Sequence, residues 1–307
     1  MTARKFRAQR RSRLLLILFL VLLTMALTAA GTLLYLTEFR PDIGYGLHDR
    51  FLGRRESLPL TEAEGETQTR MVPLQDIREG TAEGILYQNS LWLVNNEHRI
   101  DEELPLMLAE YEETELLFDR TAIPALHNLL AAARKETGDK VYLMSAYRTE
   151  EEQREEYRLD PLVAAAPGAS EHQTGLAVDL YVYQKAQREF ITAKAGRFIQ
   201  EHAAEYGFII RYPFGKEKIT GIPYEPWHIR YVGKPHARVM YANRWTLEEY
   251  LEKLETGRTY VADGVPILRT EERDGSLAIP SDWGTVTVSA DNMGGFILTG
   301  EPIDALQ

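Results

Sequence analysis

The residues best suited to do chemistry lie in the second half of the chain. His172 and Asp179 stand seven apart in "SEHQTGLAVDL", and Glu225 and His228 stand three apart in "EPWHIRYVG". Two imidazoles and one carboxylate form a common zinc donor set, which leaves the fourth tetrahedral position for water. Water held there has its pKa lowered to about 7. Glu225 is then a candidate proton carrier, taking a proton from water and passing it to a leaving nitrogen. A carboxylate at this point favours a catalytic centre, because a structural zinc site closes all four positions with protein. A third stretch, "SAYRTEEEQ", adds Arg148. Its guanidinium suits paired hydrogen bonds to a carboxylate, which lysine does not reproduce, and it suits an ion pair with its glutamate neighbours equally well. Gln153, one turn further on, faces either the same cleft or solvent. His48, His98, His127, His202 and His236 lack such company and read as packed or surface side chains.

These groups must be positioned by regular elements. "LAVDLYV" alternates as a strand, with Leu176, Val178, Leu180 and Val182 on one face and Asp179 on the other. His172 lies in a loop ahead of Gly175, and His228 begins a second strand, "WHIRYV". In a straight strand Glu225 and His228 would face opposite ways. Pro226 biases Glu225 toward an extended backbone, so a bend at Glu225-Pro226 is predicted that turns both into one cleft. "KVYLMSAY" reads as a buried strand, and "TEEEQREEY" as a helix opened by a Thr149–Glu152 capping box. "IPALHNLLAAARKETG" reads as a helix with Pro124 near its start and Gly138 at its end. A long helix is predicted from Gln187 to Tyr206, closed by Gly207, and another in "TLEEYLEKLETG" with Thr246 and Glu249 as its box. "LPLMLAEYEETELLF" reads as irregular or short helix. After about Arg258 the texture turns to short β runs, with a hairpin turn at Asp263-Gly264.

The ends of the chain set the compartment. Arg4, Lys5, Arg7, Arg10, Arg11 and Arg13 precede an uncharged run, Leu14 to Leu36. A helix over that run is long enough for a hydrocarbon core of roughly 30 Å. Basic residues before it and acidic ones after it predict a single-pass cell-membrane protein, with its N-terminus cytoplasmic and its body extracellular. A cleaved signal peptide ending at Thr28-Ala29-Ala30 is the rival. The 307-residue chain has a net charge of −11, which leaves −17 on everything after the basic start. So acidic a body is a poor partner for nucleic acid. It contains no cysteine, which excludes disulfides, thiolate metal sites and a cysteine nucleophile. The expected organisation is a basic segment at 1–13, a transmembrane signal anchor at 14–36, and an extracellular linker at 37–84. A catalytic domain follows at 85–257 and a small β extension at 258–307.

The three blocks occur in order and together resemble the VanY-type D-alanyl-D-alanine carboxypeptidases, the M15 zinc peptidases, over residues 86 to 245. The family pattern is S-x-Y-R-S/T with a following Q, then S-x-H-x-x-G-x-A-x-D, then E-x-W-H. The resemblance implies an α+β fold, a small mostly antiparallel sheet flanked by helices. It implies that His172, Asp179 and His228 hold one Zn2+, that Glu225 is the base, and that Arg148 receives the substrate's terminal carboxylate. Ser170 and Gln153 would line the cleft, with Tyr147 and Trp227 as its walls. The implied activity is removal of the C-terminal D-alanine from peptidoglycan stem peptides or precursors by a membrane-anchored metallo-carboxypeptidase. Alternatives are an L,D-carboxypeptidase acting on tetrapeptide stems, a D,D-dipeptidase, and a non-catalytic zinc-containing wall-binding module.

Overall fold

The computed structural model describes residues 3–65, 67–100, 105–161 and 164–301, with side chains from Arg13 onward. The remaining side chains of the basic cluster and the last six residues of the expected β extension lie outside it. The first helix, Ala3–Glu38, contains the apolar run. Among the described residues it is the one helix long and apolar enough to cross a membrane, a property that signal sequences share.

The centre of the chain is an antiparallel four-stranded sheet in the order Val141–Ser145, Ala177–Val182, His228–Tyr231, Phe208–Ile210. The alternation in "LAVDLYV" does what its pattern predicts. Leu176, Val178 and Leu180 enter a core with Leu126, Leu129 and Ala133 of the helix Ile123–Thr137, and with Ile199 of the helix Lys194–His202. Asp179 is left on the opposite face, directly across from His228 in the register. Both capping boxes form, Thr149 with Glu152 and Thr246 with Glu249. The Asp263-Gly264 turn joins strands Thr259–Ala262 and Val265–Thr270. Both turn residues have positive φ, 55° and 74°, as a two-residue hairpin of this type requires.

Three expectations need correction. "LPLMLAEYEETELLF" forms a β-ribbon, Leu108–Glu110 against Leu117–Asp119, rather than irregular or helical structure. The long helix at 187–206 is broken into Gln187–Thr192, Lys194–His202 and Ala203–Tyr206. The break falls at Ala193, whose backbone is extended. A distant acid stabilises the new helix start, because the Asp139 carboxylate accepts from the Ala195 N–H. The third correction concerns the linker. Residues 61–88 are not a tether: Thr61–Glu62 and Ile85–Gln88 are the two edges of a six-stranded sheet whose other four strands come from 259–299. Thr69–Pro73 pairs with Ser276–Pro280 beside it. The expected C-terminal appendage is therefore built jointly from both ends of the body.

This second sheet is packed onto the first body. Leu91, Leu93, Ile209, Val232, Met240, Leu251, Ile267 and Ile297 share one buried cluster. His236 fastens the same junction, facing Tyr250 Oη at 2.6 Å and Thr299 Oγ1 at 3.0 Å. Burial pushes its pKa down to about 3. The folded chain thus keeps His236 neutral where the unfolded chain would charge it, below its ordinary value near 6.5. The unfolded form binds more protons in that interval, so the stability is present above pH 6.5 and is lost as pH falls toward 3. The expected acid destabilisation is on the order of 3–5 kcal/mol. Chemical denaturation between pH 7 and pH 4.5 should show a shallower slope for His236→Gln; identical slopes would remove His236 as the source.

Candidate active site

The antiparallel register places Asp179 and His228 side by side, with the His228 Nδ1 2.9 Å from Asp179 Oδ1. His172 arrives from a single 3-10 turn, Glu171–Thr174, closed by Gly175 at φ 72°. Its Nε2 lies 3.3 Å from Asp179 Oδ2. One donor atom from each of the three residues falls within 4.8 Å of the others. Glu225 completes the group, with Oε2 3.8 Å from His228 Nδ1. The predicted bend is present: the His228 N–H donates to the Glu225 carbonyl at 3.3 Å, a turn with Pro226 in its second position. The Glu225 N–H in turn donates to the Tyr212 carbonyl at 3.1 Å.

The surroundings orient these donors. His172 Nδ1 faces the Ala146 carbonyl at 2.6 Å. A carbonyl only accepts, so Nδ1 carries the proton and the Nε2 lone pair points into the cluster. His228 offers Nδ1 to the cluster, and its buried Nε2 has no hydrogen-bond partner. That atom points toward Glu171 Oε2, 3.9 Å away and likewise unpartnered. Burial alone would raise the Asp179 carboxyl, but His172 and His228 hold it well below the usual carboxylate range. Burial would lower His228, yet its bond to Asp179 and the nearby Glu171 carboxylate raise it to about 9. Burial pushes His172 down. A site in which Asp179 is ionised and a proton is held tightly between carboxylates is suited to exchange that proton for a cation. Two imidazole nitrogens and a carboxylate oxygen fit Zn2+.

Glu225 behaves differently from its neighbour. Burial pushes its carboxyl up to about 8; Asp179 adds to the rise, while His228 and Arg148 oppose it. Two carboxylates a few ångströms apart are therefore driven in opposite directions, a pattern typical of an ionised ligand beside a proton-transferring group.

The other expected residues separate. Arg148 and Tyr147 line a cleft of about 700 Å3 together with Ile100, Leu106, Glu150 and Gln173. The Arg148 backbone N–H donates to the His172 carbonyl at 3.1 Å, which ties it to the donor cluster. Among the described residues Arg148 makes no ion pair, and its buried Nε has no partner. Gln153 is buried and holds the loop that follows its helix, donating to the Ala165 carbonyl at 2.7 Å. Ser170 is buried at the start of the 3-10 turn. Trp227 packs against the core beneath the sheet.

Sequence reasoning missed the network beneath the site. Glu171 Oε1 accepts from Arg211 at 2.7 Å and from Arg230 at 2.8 Å, with all three side chains fully buried. Glu248 forms two further bonds to Arg211. A signal was available in "HIRY": residues two apart on a strand share a face, so Arg230 lies on the side of His228 and needs an acid there.

The family model for VanY, D-alanyl-D-alanine carboxypeptidase, matches residues 115–234. The bifunctional D-Ala-D-Ala dipeptidase and D-Ala-D-Ala carboxypeptidase VanXYC of Enterococcus gallinarum is 39% identical over 184 residues, covering 54% of this chain and 95% of that protein. A D-alanyl-D-alanine carboxypeptidase of Enterococcus faecium is 32% identical over 188 residues, covering 57% and 61%. Among solved structures, the vancomycin resistance D,D-dipeptidase VanXYg in complex with a D-Ala-D-Ala phosphinate analogue superposes with a TM-score of 0.61 at 27% identity. That match covers 77% of this chain and 99% of the other. The LdcB LD-carboxypeptidase superposes at 0.50 with 33% identity, covering 63% and 98%. The α+β fold and these matches define a hydrolase of the carboxypeptidase class. The chain belongs to the VanY-type D-alanyl-D-alanine carboxypeptidase family.

Proposed function

We propose that this chain is a membrane-anchored zinc carboxypeptidase that removes the C-terminal D-alanine from peptidoglycan stem peptides. The carrying observation is the convergence of His172, Asp179 and His228 beside the Glu225 carboxyl, next to a cleft lined by Arg148, which makes no ion pair among the described residues. His172 Nε2, an Asp179 oxygen and His228 Nδ1 would hold the ion. Bound there, Zn2+ supplies Lewis acidity toward a carbonyl and acidifies water.

The chain's own groups supply the rest. Arg148 binds the terminal carboxylate and so places the last peptide bond over the site. Glu225 takes a proton from the attacking water and returns it to the departing alanine nitrogen; a divalent cation held beside it would favour the ionised form that the first transfer requires. Glu225 is placed to act on water, so the reaction needs no covalent acyl intermediate. The apolar helix would anchor the protein, with its basic flank inside and residues 85–257 working outside on the wall or its precursors. Similarity to the LdcB LD-carboxypeptidase supports a second reading, cleavage of tetrapeptide stems.

The test offers pentapeptide and tetrapeptide stems, and free D-Ala-D-Ala, separately to the purified chain. Loss of one alanine mass from the pentapeptide, abolished by a chelator and restored by Zn2+, is expected. Cleavage of the tetrapeptide alone would select the L,D reading, and activity indifferent to chelators would end both. Arg148→Ala should raise KM about 10–100-fold for stems with a free carboxyl end, as expected for a charge-assisted hydrogen bond. It should leave a C-terminally amidated stem unaffected; equal loss on both substrates would make Arg148 structural.

A further inference from the structure

We infer that the helix Pro41–Leu52, which follows the apolar span, is a positioning element for Glu225, acting through Phe214, Tyr224 and Gln200. The inference rests on Glu225 being the proton carrier proposed above.

Only Phe39 and Arg40 separate this helix from the span. The helix is docked on the peptidase body. Gly46 approaches Phe214 so closely that a Cβ there would sit 2.3 Å from the ring Cγ and 2.8 Å from its Cβ. These atoms lie near the Phe214 backbone and cannot swing away, so any larger residue would push the helix off. At the helix end the Asp49 carboxylate accepts from Arg244 at 2.7 Å and from Arg55 at 2.8 Å. Arg244 also donates to the Asp49 and Gly53 carbonyls, both at 2.9 Å, capping the last turn. Arg55 donates to the Tyr241 carbonyl at 2.9 Å and lies 4.2 Å from that ring's centroid.

From Phe214 the contacts lead to the catalytic turn. The Phe214 ring meets Tyr224 edge to face at 5.9 Å. The Tyr224 hydroxyl donates to Gln200 Oε1 at 2.9 Å, which leaves the Gln200 amide free to donate from its nitrogen. That nitrogen reaches the Pro226 carbonyl at 2.8 Å. Pro226 and Trp227 are the central residues of the turn that carries Glu225 and His228, so this bond holds the turn's central peptide plane. The plane is a soft point in a β-turn, since its rotation interconverts turn types. An ångström of misplacement at a reacting group costs on the order of 100-fold in rate. The juxtamembrane helix thus belongs to the catalytic unit.

The test compares full-length Gly46→Leu, Gln200→Leu and the double variant, each zinc-loaded in detergent, on a pentapeptide stem. Each single variant should lower kcat about 10–100-fold with KM and bound metal unchanged. The double variant should be no slower than the slower single one, because both act through one route. In the metal-free chain the Glu225 and His228 amides should exchange hydrogen at least about 10-fold faster in Gln200→Leu than in the wild type. Unchanged kcat and exchange would overturn the inference. So would multiplicative effects in the double variant, or a rate loss that merely follows the unfolded fraction. Failure of the underlying reading looks different: the wild type releases no alanine, or Glu225→Gln matches it.

Discussion

Replacing Glu225 by glutamine is expected to lower kcat by about 10²–10⁴-fold, the range for loss of a positioned acid-base group. Glutamine matches the carboxyl in shape but neither accepts the water proton nor returns one. The loss should not come from folding. The Glu225 carboxyl is raised to about 8 by burial, so in the metal-free chain near pH 7 it is already mostly neutral. Exchange for a neutral amide therefore removes little stabilising charge. KM should change little, because the proton transfer belongs to the transition state and not to substrate binding. The three metal donors stay in place, so zinc content should equal that of the wild type. A Glu225→Gln protein that retains more than about a tenth of the wild-type kcat would remove this residue as base.

Glu171→Gln is expected to do two kinds of damage at once. Glu171 joins two fully buried guanidinium groups. Burial alone would raise its carboxyl, but Arg211, Arg230 and His228 hold it well below the usual carboxylate range. With the charge gone, Arg211 keeps Glu248, whereas Arg230 is left, among the described residues, with the Ser90, Trp92 and Tyr231 carbonyls. An unbalanced buried charge costs roughly 3–5 kcal/mol, which thermal unfolding should register as a loss of roughly 10 °C. The second effect falls on the metal. Oε2 faces the unpartnered Nε2 of His228, and loss of such an outer partner typically weakens metal affinity by about 10–100-fold. Glu248→Gln separates the two effects, because Glu248 serves Arg211 from the far side. It should cost stability while leaving zinc affinity near wild type. Equal affinity for both variants would reduce Glu171 to a structural counter-ion.

Much of the site was legible in the residues themselves, for local reasons. Strand alternation put Asp179 opposite Val178 and Leu180, and the proline after Glu225 announced the turn that brings it to His228. The capping boxes at Thr149 and Thr246 and the Asp263-Gly264 hairpin also depend on neighbours within four residues. The break at Ala193 was not legible, because the acid that caps Lys194–His202 is Asp139, more than fifty positions away.

The sequence by itself determined the local elements that carry Asp179, Glu225 and His228 and the chemistry those residue types allow, because period-two patterning and turn chemistry are written within short windows. The tertiary structure alone decided that Thr61–Glu62, Thr69–Pro73 and Ile85–Gln88 are strands, since Thr69–Pro73 buries a single side chain and pairs with Ser276–Pro280 some two hundred residues on. It alone matched Glu171 to two buried arginines and brought the helix Pro41–Leu52 against Phe214. Edge strands, buried ion networks and docked helices take their stability from distant partners, and no local pattern records who those partners are.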